Sequence, residues 1–273
     1  MFGAVYPLLD VGDVRIPAPQ IGRRKVALLA GDLALAGFED ALAEAWPKML
    51  GDQNLERSFK ITAAFWRVMQ AMGTSHDASL IVCDLGPSLG ALNRAALVAA
   101  DFVVLPMGAD LFSLHGLHNL GPTLKRWRKQ WSTRRTNFEE HEPLSGLNLP
   151  SGAMQPIGYI ANRHTVVQRK PVKAFRNWIE RIPGVYRESV LGEQDSPPTP
   201  IESDPHCLAQ LKDYRSLAAM AQDHRKPMFS LTVADGAIGG HQAAVKQCRD
   251  DFSALARQIL ARVNLQAPPG ELF

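Results

Sequence analysis

A chain of 273 residues, 46% hydrophobic and 21% charged, has an ordinary globular composition and the length for one large α/β domain or two small ones. Its formal net charge of +3 is too weak to imply nucleic-acid binding by itself, so any such role must rest on local charge. Cys83, Cys207 and Cys248 are far apart and form no C-x-x-C pair, and there is neither a secretory leader nor a run near the roughly 18 apolar residues of a membrane span. A reduced, cytoplasmic setting without a membrane partner is the expectation.

In chain order, residues 1–24 are rich in Pro and Gly and read as irregular. Residues 25–30, Lys-Val-Ala-Leu-Leu-Ala, read as a buried strand stopped by Gly31 and Asp32. Helical spacing of apolar residues predicts helices over 38–50 and 55–72. The run 80–84, Leu-Ile-Val-Cys-Asp, predicts a second buried strand, followed by a Gly86-Pro87 loop and a helix over 91–100. Residues 102–105 form another unalternating apolar run, closed by Pro106. Ser113 is placed to cap a helix reaching about Trp131. A polar linker is expected over 132–155, then a strand over 157–161. Pro171 is placed to open a helix to about 181. Residues 193–205, with three prolines before Pro205, read as an exposed loop. Helices are expected over 208–223 and 242–263, and a frayed tail over 266–273. Unalternating runs separated by helices point to a mostly parallel sheet with helices on both faces, in a single α/β domain over 25–265.

A buried strand that delivers Asp84 to its tip is the arrangement by which P-loop NTPases hold Mg²⁺ near phosphates. The plainer alternative is an Asp that caps a loop. Gly86 permits a backbone close to phosphate and Pro87 stiffens the loop exit, or the pair makes a simple strand-to-helix turn. The phosphate-cradling motif G-x-x-x-x-G-K-S/T occurs nowhere, and there is not one Gly-Lys pair.

The strongest basic run is Lys125, Arg126, Arg128 and Lys129 with Arg134 and Arg135, interleaved with Trp127 and Trp131. Such a run neutralises DNA phosphates without reading sequence, or else it is a solvated helix end that complements the dipole. His115 and His118 are three apart but have no Cys or carboxylate at ligand spacing. The Asp235–His241 stretch reads as a loop before the last helix, with no assigned chemistry.

The segments Ile81-Val82-Cys83-Asp84-Leu85-Gly86-Pro87-Ser88-Leu89-Gly90, Asn93-Arg94-Ala95-Ala96-Leu97, residues 99–106 and residues 111–117 resemble, in this order and spacing, the ParA/MinD group of partition ATPases, specifically the ParA type. Residues 28–32 and 158–163 match more loosely, so the resemblance covers about 26–191. It implies a P-loop NTPase-like fold without its first strand and P-loop, which in that family precede the matched region. It further implies that Asp84 organises Mg²⁺, that Gly86 and Pro87 transmit the γ-phosphate state, and that Asn162 and Arg163 lie near the adenine base. ATP, nonspecific DNA, a partition-type partner protein and a homodimer of the intact form follow from the same resemblance. Mg-ATP binding and hydrolysis are expected only where the missing N-terminal P-loop is supplied. The alternative is a nucleotide-independent interaction or DNA-binding accessory protein of the same descent. Loss of a central strand would leave an exposed apolar edge beside residues 80–84.

Overall fold

The computed structural model describes residues 1–10, 12–15, 20–21, 26–163, 177–195 and 197–266. They divide into two compact units, Met1–Asp101 with Thr123–Gln155, and Phe102–Pro122 with Pro156–Phe273.

The first unit is mainly helical. Its start is ordered rather than irregular: helix α1 (Phe2–Val5) and a 3₁₀ turn (Tyr6–Leu9) bury Ala4, Val5 and Leu8 against α4. Over residues 1–9 the apolar side chains direct the local structure, and Pro7 stands within the 3₁₀ turn. Strand β1 (Gln20–Ile21) pairs antiparallel with β2 (Ala27–Leu28), which is exposed; Val26 is 63% and Leu28 57% accessible. The buried strand expected over 25–30 is therefore a two-residue surface ladder. Asp32 caps a 3₁₀ turn (Leu33–Phe38) by accepting from the Ala34 N–H.

Helix α2 (Glu39–Lys48) follows the expected span. The single helix expected over 55–72 is two, α3 (Leu55–Thr62) and α4 (Ala64–Ser75), because Ala63 at φ −86°, ψ 5° leaves the helical region between them. Residues 80–84 are not a buried strand: they form no ladder among the described residues, all five are exposed, and Val82 is 83% accessible. A run of apolar side chains is buried only where neighbouring strands cover it, and here none does. Helix α5 (Ala91–Ala99) then buries Ala91, Ala95 and Ala96 in a core shared with Leu42, Phe65 and Val68.

Helix α6 (Leu111–His141) starts in the second unit, and its residues from Thr123 onward belong to the first. It continues ten residues past the expected end near Trp131, so the first ten residues of the linker expected over 132–155 are helix. The cause is an inward stripe, Trp127, Trp131, Arg134 and Phe138, at helical spacing. Phe138 packs on Phe59 at 4.5 Å between ring centroids, and Trp131 donates to Pro150 O at 3.0 Å.

In the second unit, strands β3 (Phe102–Gly108), β4 (Gln155–Arg163) and β5 (Cys207–Lys212) form a small parallel sheet in the order β3-β4-β5. β3 is an edge strand, which is why it tolerates Pro106. β4 and β5 pair from Tyr159↔Cys207 to Arg163↔Lys212, with an irregularity after Tyr159. β5 replaces the start of the helix expected over 208–223; only α8 (Arg215–His224) is helical there. Helix α7 (Ile182–Val185) runs into a π-helical turn (Tyr186–Leu191) ended by Gly192 at φ 81°. The loop expected to be exposed over 193–205 ends inward, with Ile201 and Asp204 buried. Helix α9 (Gly240–Arg262) closes this unit, and Val245 and Cys248 pack with Leu217, Leu231 and Ala237. The helix expected from Pro171 lies largely outside the described residues, as does most of the tail.

Candidate functional site

Asp84 stands on the exposed segment ahead of α5 in the first unit. The loop after it is tied down by Asn93, whose Nδ2 donates to Gly86 O at 2.5 Å and Ser88 O at 2.7 Å. Ser88 N–H also donates to Gly86 O. The start of α5 carries a second fastening. The Glu39 carboxylate of α2 accepts from the Ala91 N–H and, at 3.1 Å, from the Leu92 N–H. It thereby satisfies two of the open donors that every helix start presents. Seven residues on, on the same face of α2, the Trp46 ring lies under the Arg94 guanidinium at 4.3 Å. Sequence reasoning placed Trp46 on a helix by its apolar spacing but passed over Glu39 and the roles of Trp46 and Asn93. The i, i+3, i+7 spacing of Glu39, Leu42 and Trp46 was the available signal for a shared helix face.

The six cations of the basic run separate. Lys125, Arg126 and Lys129 are exposed. Arg128 donates to Ala153 O and Met154 O, at 2.7 and 2.8 Å. Arg135 pairs with Glu139 at 3.3 Å. Arg134 is only 6% exposed: its Nε donates to Trp46 O at 2.8 Å and its guanidinium lies 4.4 Å from the Trp46 ring centroid. It is thus withdrawn from any solvent-facing phosphate footprint. Burial pulls the pKa of both Arg94 and Arg134 down; the Arg94 charge adds to the effect at Arg134, and Glu39 opposes it at Arg94.

Asn162 and Arg163 end β4 in the second unit, level with Leu211 and Lys212 of β5. Asn162 is exposed. In open α/β sheets, ligands lie off this carboxyl edge. On the same edge, after β3, Asp110 Oδ1 accepts from the Ser113 N–H at 2.7 Å, and Ser113 Oγ accepts from the Gly108 N–H at 3.0 Å. Asp110, rather than Ser113, therefore caps α6. The named residues fall into two sets, Asp84, Gly86 and Pro87 in one unit, Asn162 and Arg163 in the other.

The remaining polar clusters are structural. Asp204 precedes β5, at the opposite edge, and accepts from Tyr159 Oη and Arg187 Nη2, each at 2.6 Å. Burial and this carboxylate push the Tyr159 hydroxyl pKa up. His118 Nδ1 is 2.9 Å from Ser189 Oγ, so it is engaged in packing. Asp235 completes a capping box with Thr232.

Among the described residues, no three His, Cys, Asp or Glu side chains gather as metal ligands. Near Asp84 the Gly86 and Ser88 carbonyls accept from Asn93, and the Ala91 and Leu92 donors that open α5 are held by Glu39, which takes up the first two helix-start donors there that could cradle a phosphate. By themselves these residues do not fit the group. No helix is long and apolar enough to cross a membrane among the described residues.

Residues 18–138 match the family described as an AAA domain, a ParA/MinD-like P-loop ATPase family. That span holds both the Asp84 loop and the basic run. No curated protein matches the chain. Among solved structures, it is similar to protein DIP2308 from Corynebacterium diphtheriae, at 20% identity and a TM-score of 0.65 over 96% of this chain and 74% of that one. This likeness concerns the fold alone.

Proposed function

We propose, from the AAA-domain match over residues 18–138, that this chain is a ParA-like ATPase-family protein serving DNA partition or positioning. In this reading Lys125, Arg126 and Lys129 hold DNA without sequence preference, and Mg-ATP is bound and hydrolysed only where a phosphate-binding loop is supplied. A partition-type partner protein and a homodimer belong to that loaded state. The carrying observation is that one family match spans both the Asp84–Ser88 loop and the helix presenting three exposed cations.

Anisotropy of a labelled duplex of arbitrary sequence, titrated at several salt concentrations, tests it. Each phosphate contact contributes about 0.9 to the slope of log K against log salt. Reversing the charge of Lys125, Arg126 and Lys129 together is expected to remove nearly all binding and most of that slope. Unchanged affinity in the triple variant would overturn the DNA assignment.

The second reading is a nucleotide-independent interaction protein. It is favoured by the engagement of the Gly86 and Ser88 carbonyls and of the first α5 donors near Asp84. Calorimetric titration with Mg-ATP of the chain fused to a phosphate-binding-loop segment separates the two: binding heat that is lost in Asp84→Asn supports the first, and no binding heat even with the loop supplied supports the second.

A further inference from the structure

An unbroken set of contacts, all within the first unit, joins the Gly86–Ser88 loop to the basic part of α6. Asn93 holds both loop carbonyls. The next residue, Arg94, lies over Trp46. Arg134 of α6 lies over the same ring and donates to the carbonyl of the same residue, while the Trp131 ring stacks on Trp46 at 6.2 Å. α2 grips α5 at two points on one face, by Glu39 at the helix start and by Trp46 under Arg94. Two guanidinium groups on one ring repel each other, and partial burial denies them full hydration. A shift of Arg94 therefore changes the balance of forces on Arg134. Arg134 is one to three turns from Lys125, Arg126 and Lys129 on one continuous helix.

We propose that Asn93 and the Arg94–Trp46–Arg134 stack form a mechanical link that couples the conformation of the Gly86–Ser88 loop to the basic stretch of α6. Asn93 is the positioning residue at one end and Arg134 at the other. The functional consequence rests on the DNA-facing reading of the three exposed cations; the link itself does not. Coupling of this kind is reciprocal, so disturbing either end is felt at the other.

Hydrogen exchange of the full chain, read by mass spectrometry without any ligand, tests the link. Asn93→Ala removes both loop bonds. It is expected to speed exchange at 86–90 and also at 130–136, the remote effect being roughly two- to thirtyfold, as coupling through packed side chains gives. Arg134→Lys keeps the charge but loses the planar stack and fork, and is expected to speed exchange at 86–90 in return. Helix α9, in the other unit, serves as the unchanged control. Should Arg134→Lys lose its far-UV helicity, Arg94→Lys probes the same ring. Effects confined to 86–90 in the first variant and to α6 in the second would overturn the link, whatever the chain binds. Adding a duplex of arbitrary sequence then tests the reading beneath it. Protection at both 86–90 and 125–135 upholds both. Cross-effects between the variants without any DNA binding uphold the link and overturn the DNA reading.

Discussion

The Asp235 carboxylate accepts from Lys226 Nζ at 2.6 Å and from the N–H and Oγ1 of Thr232, and chiefly the lysine holds its pKa down to about 2. A carboxylate held below its ordinary value stabilises the fold above that value, and the contribution is lost as pH falls from there toward about 2. Thermal melts across this acidic range are expected to show Asp235→Asn with a lower midpoint than the parent near neutrality and a shallower loss on acidification. Lys226→Met is expected to move the parent's loss to higher pH. A parent and Asp235→Asn with parallel midpoint-against-pH curves would refute the assignment. At this scale the sequence marks the close of β4 to within two residues, but Asp84, expected at a buried strand's tip, ends no strand. The sequence does not mark partners that are distant along the chain. Nothing in Glu39 announces that it holds the Ala91 and Leu92 donors 52 and 53 residues later, and Arg134 looks like one more surface cation until Trp46 is beneath it.

Within the second unit, α6 meets the π-helical turn so closely that a Cβ built on Gly121 would lie 2.1 Å from Ser189 O. Alanine is the better helix former, so Gly121→Ala would stabilise an isolated helix by about 1 kcal/mol. Here the overlap is expected to reverse the sign and cost about 1–3 kcal/mol, read as a lower urea midpoint by far-UV circular dichroism. A raised midpoint would mean that α6 and the turn are not in this contact. Elements with a strong apolar period, such as α2, α5 and α9, were legible within a few residues. The extension of α6 to His141 was also written in the spacing of Trp127, Trp131, Arg134 and Phe138, but only if a buried arginine is allowed into the stripe. β5 was not legible. Its Leu, Ala, Gln and Lys favour helix locally, and its strand state comes from pairing with β4.

At the scale of the molecule, motif order pointed to the family that residues 18–138 match, and the burial of the expected strands was not readable. A run such as 80–84 has the same letters whether neighbouring strands cover it or leave it in water. Leu80, Ile81, Val82, Leu85 and Leu89 all remain exposed, an uncovered extended stretch that invites association between copies. Val82→Lys is expected to slow the growth of light scattering in concentrated solution while changing stability by no more than about 0.5 kcal/mol. Equal scattering from parent and variant would clear this stretch of that liability. The placement of indole rings has a practical consequence of another kind. Four of the chain's five tryptophans, at 46, 66, 127 and 131, belong to the first unit, and two of them stack where two guanidinium charges converge. Intrinsic emission is therefore a built-in gauge of that unit, tuned by the local electric field at Trp46 and needing no attached dye.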